Sequence, residues 1–331
     1  MEILAKIRQR AKQTRRKIIL PESDDDRVLA AAKVIVEEKI ADIILLSQDE
    51  ALGKRADAFG LDLSKLEVID PDKSEYPEKF AEQFYQLRKH KGITPKAARE
   101  QINSFIYFAG MMVRNDLAHG FVAGASHTTP NVAKAAIYCI GFGEEVRTIS
   151  SCFLVSVPNC SYGQDGIFVF SDCGIVPDPS PLQLANISAS AAELFQLLVE
   201  QEPRIALLSF SSKGSAHHPL VDKVIKAEQM IKDKYPQLKV EGELQLDAAI
   251  VPEVAKMKVP QSSLAGSANV LIFPNLDAGN IGYKLVQRLA KADVIGPMMT
   301  GLKKPCSDLS RGCTIDEIIN AVCTTAIRAT S

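Results

Sequence analysis

Short apolar runs alternating with longer stretches of helical periodicity are the strongest constraint on this chain. Residues 18–20 form an apolar run, and apolar residues recur at helical spacing over 24–38. Residues 42–46 read as a strand, 48–59 as a helix, and 76–90 and 97–117 as two more helices. A strand at 120–123 leads into a helix at 131–140. Beyond Gly141-Phe142-Gly143, strands at 151–157 and 167–171 lie close enough in sequence to pair. A helix at 185–200, a strand at 205–210, a helix at 221–234, a strand at 269–273 and a helix at 281–290 follow. Such a succession predicts α/β layering around a mostly parallel sheet. Near the C-terminus Ile315, Ile318, Ile319, Val322, Cys323 and Ala326 form the apolar face of a last helix. If that helix returns to the first block, the middle of the chain is an inserted second domain; periodicity alone leaves this open.

A length of 331 residues suits roughly two domains. Lysine and arginine total 39 against 40 acidic residues, so no global charge field favours nucleic acid or a membrane surface. An anionic partner must therefore be met by a local cluster of cations. No uninterrupted apolar run approaches the roughly 20 residues that span a bilayer. The seven cysteines show no Cys-x-x-Cys pair and no zinc-type spacing, so buried thiols in a reducing cytoplasm are expected. The basic N-terminal segment, with Ile3, Leu4, Ile7 and Ala11 at helical spacing, reads as a structural helix rather than a targeting peptide.

Several strand ends carry polar, glycine-containing turns. Asp308-Leu309-Ser310-Arg311-Gly312-Cys313-Thr314 places a hydroxyl and a guanidinium before a helix N-terminus, where amides and the helix dipole favour anions. Thr314 and Glu317 have capping-box spacing. An ordinary capped loop with a surface arginine would carry the same residues. Gly124-Ala125-Ser126-His127-Thr128-Thr129 follows a strand and would present hydroxyls and amides to an anion, with Lys134 on the next helix. A plain turn is the alternative. Arg27 follows Asp24, Asp25 and Asp26 and either pairs with them or faces a ligand. Arg88 opens a cationic cluster at a helix C-terminus, where cations also belong for dipole reasons. A third turn, Pro274 to Lys284, includes Asn280 and Tyr283. Ser212-Lys213-Gly214-Ser215 is too short for a Walker loop, and His217-His218 has no acidic partner at helical spacing that would suggest a metal.

The segments 242–252, 274–284 and 308–313, with 21–29, 124–129 and 209–216, closely resemble the phosphate acetyl/butyryltransferase family, in order along the whole chain. The length is similar to that of the short phosphate acetyltransferases. The resemblance implies two three-layer α/β/α domains with an interdomain cleft, like the isocitrate/isopropylmalate dehydrogenase fold. It implies a discontinuous first domain of residues 1–142 plus 304–331 and a second of 143–303. The implied reaction transfers acetyl between CoA and phosphate by direct attack of the CoA thiolate on acetyl phosphate. No tightly bound cofactor and no catalytic metal are implied, and a homodimer is expected. Ser310 would donate to the reacting thiol or carbonyl, Arg311 would neutralise phosphate, and Glu317 stands where the family commonly has an aspartate base. Asp316 is the nearby substitute. Arg27 and Arg88 match arginines associated with CoA or phosphate; Ser126, His127, Thr128, Thr129, Asn280 and Tyr283 fall in the matching turns. Lys134 stands where many members carry arginine, which keeps the charge but loses the planar fork. Rival expectations are a phosphate butyryltransferase, a non-catalytic acyl-CoA-sensing module, and a metal-dependent dehydrogenase of the related fold.

Overall fold

A computed structural model describes residues 2–143 and 148–329. From the N-terminus the elements are α1 (Glu2–Thr14), β1 (Lys17–Leu20), α2 (Asp26–Glu37), β2 (Asp42–Leu46), α3 (Leu52–Phe59), β3 (Glu67–Ile69), α4 (Pro77–Arg88), α5 (Pro95–Ile102), α6 (Phe105–Arg114), β4 (Gly120–Ala123) and α7 (Thr129–Cys139). Next come β5 (Ser150–Ser156), the single turn α8 (Tyr162–Asp165), β6 (Ile167–Ser171), α9 (Pro181–Val199), β7 (Arg204–Leu208) and α10 (Pro219–Lys234). They are followed by β8 (Lys239–Leu244), α11 (Leu246–Ile250), α12 (Pro252–Lys258), β9 (Val270–Ile272), α13 (Leu276–Leu289) and β10 (Asp293–Thr300). The chain closes with β11 (Cys306–Asp308) and α14 (Ile315–Arg328). It divides into two compact units, one of Met1–Gly143 with Leu302–Ser331 and one of Glu144–Gly301.

In the first unit the strand order is β3-β2-β1-β4-β11, and every pairing is parallel. All of β4 and three of the four β1 residues are buried, as expected of strands covered on both faces. Helix α14 packs on β4 and β11 and against α1 and α2, which ties the end of the chain to this unit. Gly120 makes that approach possible: a Cβ there would lie 2.7 Å from the Thr325 methyl and 2.8 Å from the Pro305 carbonyl. Phe80, Phe84 and Phe108 are fully buried; Phe80 and Phe108 meet edge to face at 5.1 Å.

The second unit has the order β10-β5-β6-β9-β7-β8. Here β5 runs antiparallel to both β10 and β6, while β6, β9, β7 and β8 are mutually parallel. Helix α9 is long and apolar enough to cross a membrane by length and composition, although Gln183, Asn186, Glu193 and Gln196 interrupt its apolar residues. Yet 67% of that window is buried, so it is the central core helix of this unit.

One predicted helix is in fact two. The apolar pattern over 97–117 is continuous, but α5 ends at Ile102 and α6 begins at Phe105, with Asn103 as the C-cap of one and Ser104 as the N-cap of the other. Both helices bury apolar faces, so periodicity carries through the break.

Candidate active site

Parallel pairing of β1, β4 and β11 brings three strand ends to one edge of the first unit: residues 21–27, 124–129 and 309–314. Glu22, only 2% exposed, organises that edge. Its Oε2 accepts from the amides of Gly124 and Ala125, both at 2.8 Å. Its Oε1 accepts from the amides of Ser126 and His127, at 3.1 and 2.9 Å, and from the Ser126 hydroxyl at 3.1 Å. The His127 ring meets the same oxygen at 2.8 Å through Nδ1. Burial pushes the Glu22 carboxyl up, but the His127 ring and the amides of His127, Ser126 and Ala125 bring it below its ordinary value. The turn expected to receive an external anion is thus filled from within: the amides of Gly124 to His127 are committed to Glu22. Ser126 and His127 are therefore part of the scaffold around Glu22.

Arg27 links the three strand ends. It pairs with Asp25, Nη2 to Oδ2 at 2.6 Å, and of the three neighbouring aspartates this is its partner. Its Nη1 donates to the carbonyls of Arg311 and Cys313, at 2.9 and 2.8 Å, and its Nη2 to the carbonyl of Ala125 at 3.0 Å. These hydrogen bonds make Arg27, itself only partly buried, a brace between loops.

Ser310 and Arg311 are exposed on the loop so braced. The Cys313 amide donates to the Ser310 carbonyl at 2.9 Å, closing a turn, and the Gly312 amide donates to Ser310 Oγ at 3.3 Å. Accepting that bond leaves the hydroxyl hydrogen able to point out of the loop. No ion pair engages Arg311 among the described residues. The turn leads directly into α14, whose capping box is complete: Thr314 N–H donates to Glu317 Oε2 at 2.8 Å, and Glu317 N–H to Thr314 Oγ1 at 3.2 Å. Asp316 is engaged by Arg8 at 2.9 Å.

Thr129, the first residue of α7, donates from Oγ1 to Asp308 Oδ2 at 2.5 Å. Asp308 is wholly buried at the end of β11, and its Oδ1 finds no hydrogen-bond partner among the described residues. Burial pushes its carboxyl up to about 7, with the Glu22 charge adding to the rise and the Thr129 hydroxyl and Leu309 amide opposing it. Thr128 is the N-cap of α7, with no side-chain cap bond.

Arg88 and Lys134 belong to the flank of the same unit. The Arg88 guanidinium lies 3.7 Å from the centre of the Tyr138 ring. Together with Phe84, Lys91 and Gln101 these two line a shallow cavity of about 230 Å³. Lys134 is exposed on α7.

In the second unit the strand-end turns are also filled by the protein's own carboxylates. Asp172, 2% exposed, accepts from the amides of Gly174 at 2.9 Å, Ile175 at 3.2 Å and Val176 at 2.8 Å, and from the Ser151 hydroxyl. Glu243 accepts from the Gly214 amide at 2.7 Å, and Lys213 is held by Glu228 at 3.4 Å and Glu241 at 3.7 Å. Asn280 donates from Nδ2 to the Cys173 carbonyl at 3.1 Å, and Tyr283 stacks on Phe153 with centroids 4.4 Å apart. His218 caps α10, its Nδ1 accepting from the Leu220 amide at 3.2 Å.

Sequence reasoning missed Glu22 and Asp308. A signal existed for Glu22, an acidic residue just beyond the apolar run of β1, where side chains either serve the site or are buried at a cost; three-residue β11 gave none for Asp308.

Comparisons with known proteins identify the family. Residues 2–326 match the family model described as phosphate acetyl/butaryl transferase. The chain is 48% identical over 329 residues to a phosphate acetyltransferase of Thermoanaerobacterium thermosaccharolyticum, covering 99% of this chain and 100% of that one. It is 47% identical over 329 residues to one of Acetivibrio thermocellus, covering 99% and 98%. A crystal structure of a phosphotransacetylase from Streptococcus pyogenes superposes with a TM-score of 0.93 at 37% identity, covering 99% of this chain and 98% of that one. A whole-chain family match, relatives near half identity and the Ser310-Arg311 loop at the ends of three parallel strands lead to one conclusion: the chain belongs to the phosphate acetyl/butaryl transferase family of acyltransferases.

Proposed function

We propose that Ser310 and Arg311 carry the chemistry of acetyl transfer. The reaction is the reversible transfer of an acetyl group between CoA and inorganic phosphate: acetyl-CoA and phosphate give CoA and acetyl phosphate. In one direction the CoA thiolate attacks the carbonyl carbon of acetyl phosphate, the carbonyl oxygen takes up negative charge, and phosphate departs with the electron pair of the broken C–O bond. The Ser310 hydroxyl donates to the oxygen or sulfur at which charge develops. Arg311 takes the phosphate, because a planar guanidinium can hold two phosphate oxygens at once. The observation that carries this reading is the contrast between two neighbouring arginines. Arg27 is spent on Asp25 and three carbonyls, whereas Arg311 is exposed on the loop that Arg27 holds.

Arg88, stacked on Tyr138, and Lys134 supply further positive charge for CoA or phosphate from the α7 side. Thr128 and Thr129, at the α7 N-terminus, face the same anionic substrates. Asn280 and Tyr283 of the second unit are assigned to substrate binding on the strength of their matching turn. Glu317 we assign to the helix cap, which holds the end of the Ser310-Arg311 loop. CoA enters as a substrate; no tightly bound cofactor and no metal take part. The enzyme works in the cytoplasm as a homodimer. Along α13, Ile281, Leu285 and Leu289 are 58%, 52% and 80% exposed at four-residue spacing, an apolar stripe suited to a second copy of the chain.

Phosphate-dependent release of CoA from acetyl-CoA by the purified protein tests the activity. Arg311→Ala should lower kcat by about 100-fold or more if the guanidinium acts on the transition state. An unchanged kcat would remove its assigned role.

A further inference from the structure

Acetyl transfer needs a proton acceptor for the CoA thiol, since a thiol with a pKa of about 8.5 is mostly protonated at neutral pH. Glu317 serves the α14 cap through Oε2, which accepts from the Thr314 amide. A second carboxyl lies directly behind the loop. Asp308 is two residues before Ser310, wholly buried, with Oδ2 on the Thr129 hydroxyl and Oδ1 without a hydrogen-bond partner among the described residues. Gly124 closes over it: a Cβ there would lie 2.5 Å from Asp308 Oδ1 and 2.6 Å from the Leu309 nitrogen, so no larger residue lets the two loops meet. Thr129, by contrast, is partly exposed at the α7 N-terminus. Its hydroxyl gives its hydrogen inward to Asp308, which leaves oxygen lone pairs to receive a hydrogen from outside.

We propose that Thr129 and Asp308 form a proton relay for the CoA thiol. The inference rests on the acetyl-transfer reading above. The thiol proton passes to Thr129 Oγ1 as the Thr129 hydrogen passes to Asp308 Oδ2. The thiolate pair then forms the C–S bond as the C–O bond to phosphate breaks. The proton held by Asp308 returns through Thr129 to the departing phosphate, so CoA loses one proton and phosphate gains one. Thr129 is the group that touches substrate, and Asp308 is the positioning residue behind it. The burial that raises Asp308 to about 7 suits this task, because a base works best when its pKa is near the working pH.

The groups around Asp308 are few. Glu22 faces it from the end of β1 and carries His127, the titratable group of the β4–α7 loop. Cys306 shares its strand, and α7 presents the neutral Thr129. From α14, Thr325 meets Ser307 and Arg328 donates to the Cys306 carbonyl.

The test follows kcat for acetyl phosphate plus CoA in the full-length protein, from about pH 5.5 to about 9, with folding checked by circular dichroism. Wild-type kcat should fall on the acid side with an apparent pKa near 7. Asp308→Asn keeps the size and an acceptor for Thr129 but cannot take the proton. It should lower kcat by about 100-fold or more and abolish that acid limb. Thr129→Val should do the same, Thr129→Ser should retain both rate and limb, and the double variant Asp308→Asn, Thr129→Val should lose little more than either alone. The limb should persist in His127→Gln, whatever its rate. A limb that survives in Asp308→Asn, or that disappears with His127 instead, overturns the relay. If Asp308→Asn does not fold, Thr129→Val decides: an unchanged kcat and limb overturn the proposal. Wild-type protein with no turnover would remove the acetyl-transfer reading itself, a different result from active wild type with an indifferent Asp308.

Discussion

One guanidinium nitrogen of Arg27 holds the backbone carbonyl of Arg311 at 2.9 Å. The same nitrogen holds the Cys313 carbonyl at 2.8 Å, so a residue 284 positions upstream sets the shape of the loop that presents Arg311. A brace and a substrate contact predict different kinetics. Arg27→Lys keeps the charge but cannot span two carbonyls and Asp25 together. It should lower kcat by about 10- to 100-fold while KM for phosphate changes little, because a displaced catalytic group costs rate more than binding. A rise in KM at constant kcat would return Arg27 to direct substrate contact.

Glu22→Gln should be strongly destabilising. The variant would replace a carboxylate that receives four amides by a group with a single acceptor oxygen, and would set donor against donor. A loss of about 3 kcal/mol or more is expected in urea unfolding, since hydrogen bonds to a charged group contribute about 1.5–3 kcal/mol each. The pH dependence has a definite sign. Glu22 is lowered from 4.5, so its contribution is present above that value and is lost as pH falls through the folded pKa. His127 is raised from 6.5 by its hydrogen bond to Glu22, so its contribution is present below that value and is lost as pH rises through the folded pKa.

Asp308 acts in the opposite sense to Glu22. Its carboxyl is raised from 3.8 to about 7, so the folded state holds a proton that the unfolded chain has released, and stability falls as pH rises through that window. Asp308→Asn removes this penalty. The melting temperature of the variant relative to wild type should therefore increase between about pH 5 and about pH 8. A difference that does not vary with pH would show that the buried carboxyl does not titrate there.

The cap on α14 separates support from chemistry. Thr314→Ala should cost about 0.5–2 kcal/mol of stability, as loss of an N-cap hydroxyl does. Glu317→Gln retains an acceptor for the Thr314 amide, and glutamine is itself a capping-box residue. Its turnover should stay within about tenfold of wild type, well short of the loss expected of Asp308→Asn. Turnover as low as that of Asp308→Asn would make the Glu317 carboxylate a catalytic group.

Leu285→Glu places a charge in the middle of the exposed α13 stripe. If that stripe joins two copies, light scattering should show a dimer for wild type and a shift toward monomer for the variant. An unchanged mass would put the interface elsewhere.

Much of the layering is legible in the sequence, because β1, β2, β4 and the long helices are set by apolar spacing over a few neighbouring residues. The strands that escaped it are short, polar or interrupted: β3 has three residues, and β10 is broken between Ile295 and Met298 by Gly296-Pro297. β11 has three residues, Cys306–Asp308, and β8 carries Glu241 and Glu243 within Lys239–Leu244. Those glutamates become strand residues because Ser262, Ser263 and Leu264 donate to Glu241 and Ser211 and Gly214 donate to Glu243. The break between α5 and α6 was hidden for a different reason: residues on both sides face apolar neighbours, so the pattern has no gap at Ser104.

For the site, the sequence by itself determined which chemical groups stand at each strand end and that the segments around Ser310-Arg311 follow a family pattern. Both are local properties of the chain. Only the tertiary structure decided which groups remain available. Glu22 fills the Gly124 turn from 102 residues away, Arg27 reaches across 284 residues to the Arg311 carbonyl, and Asp308 meets Thr129 across 179. Burial and partner choice depend on contacts at that separation, and they turn one arginine into a brace, leave another exposed, and hold a carboxyl near neutrality behind the loop.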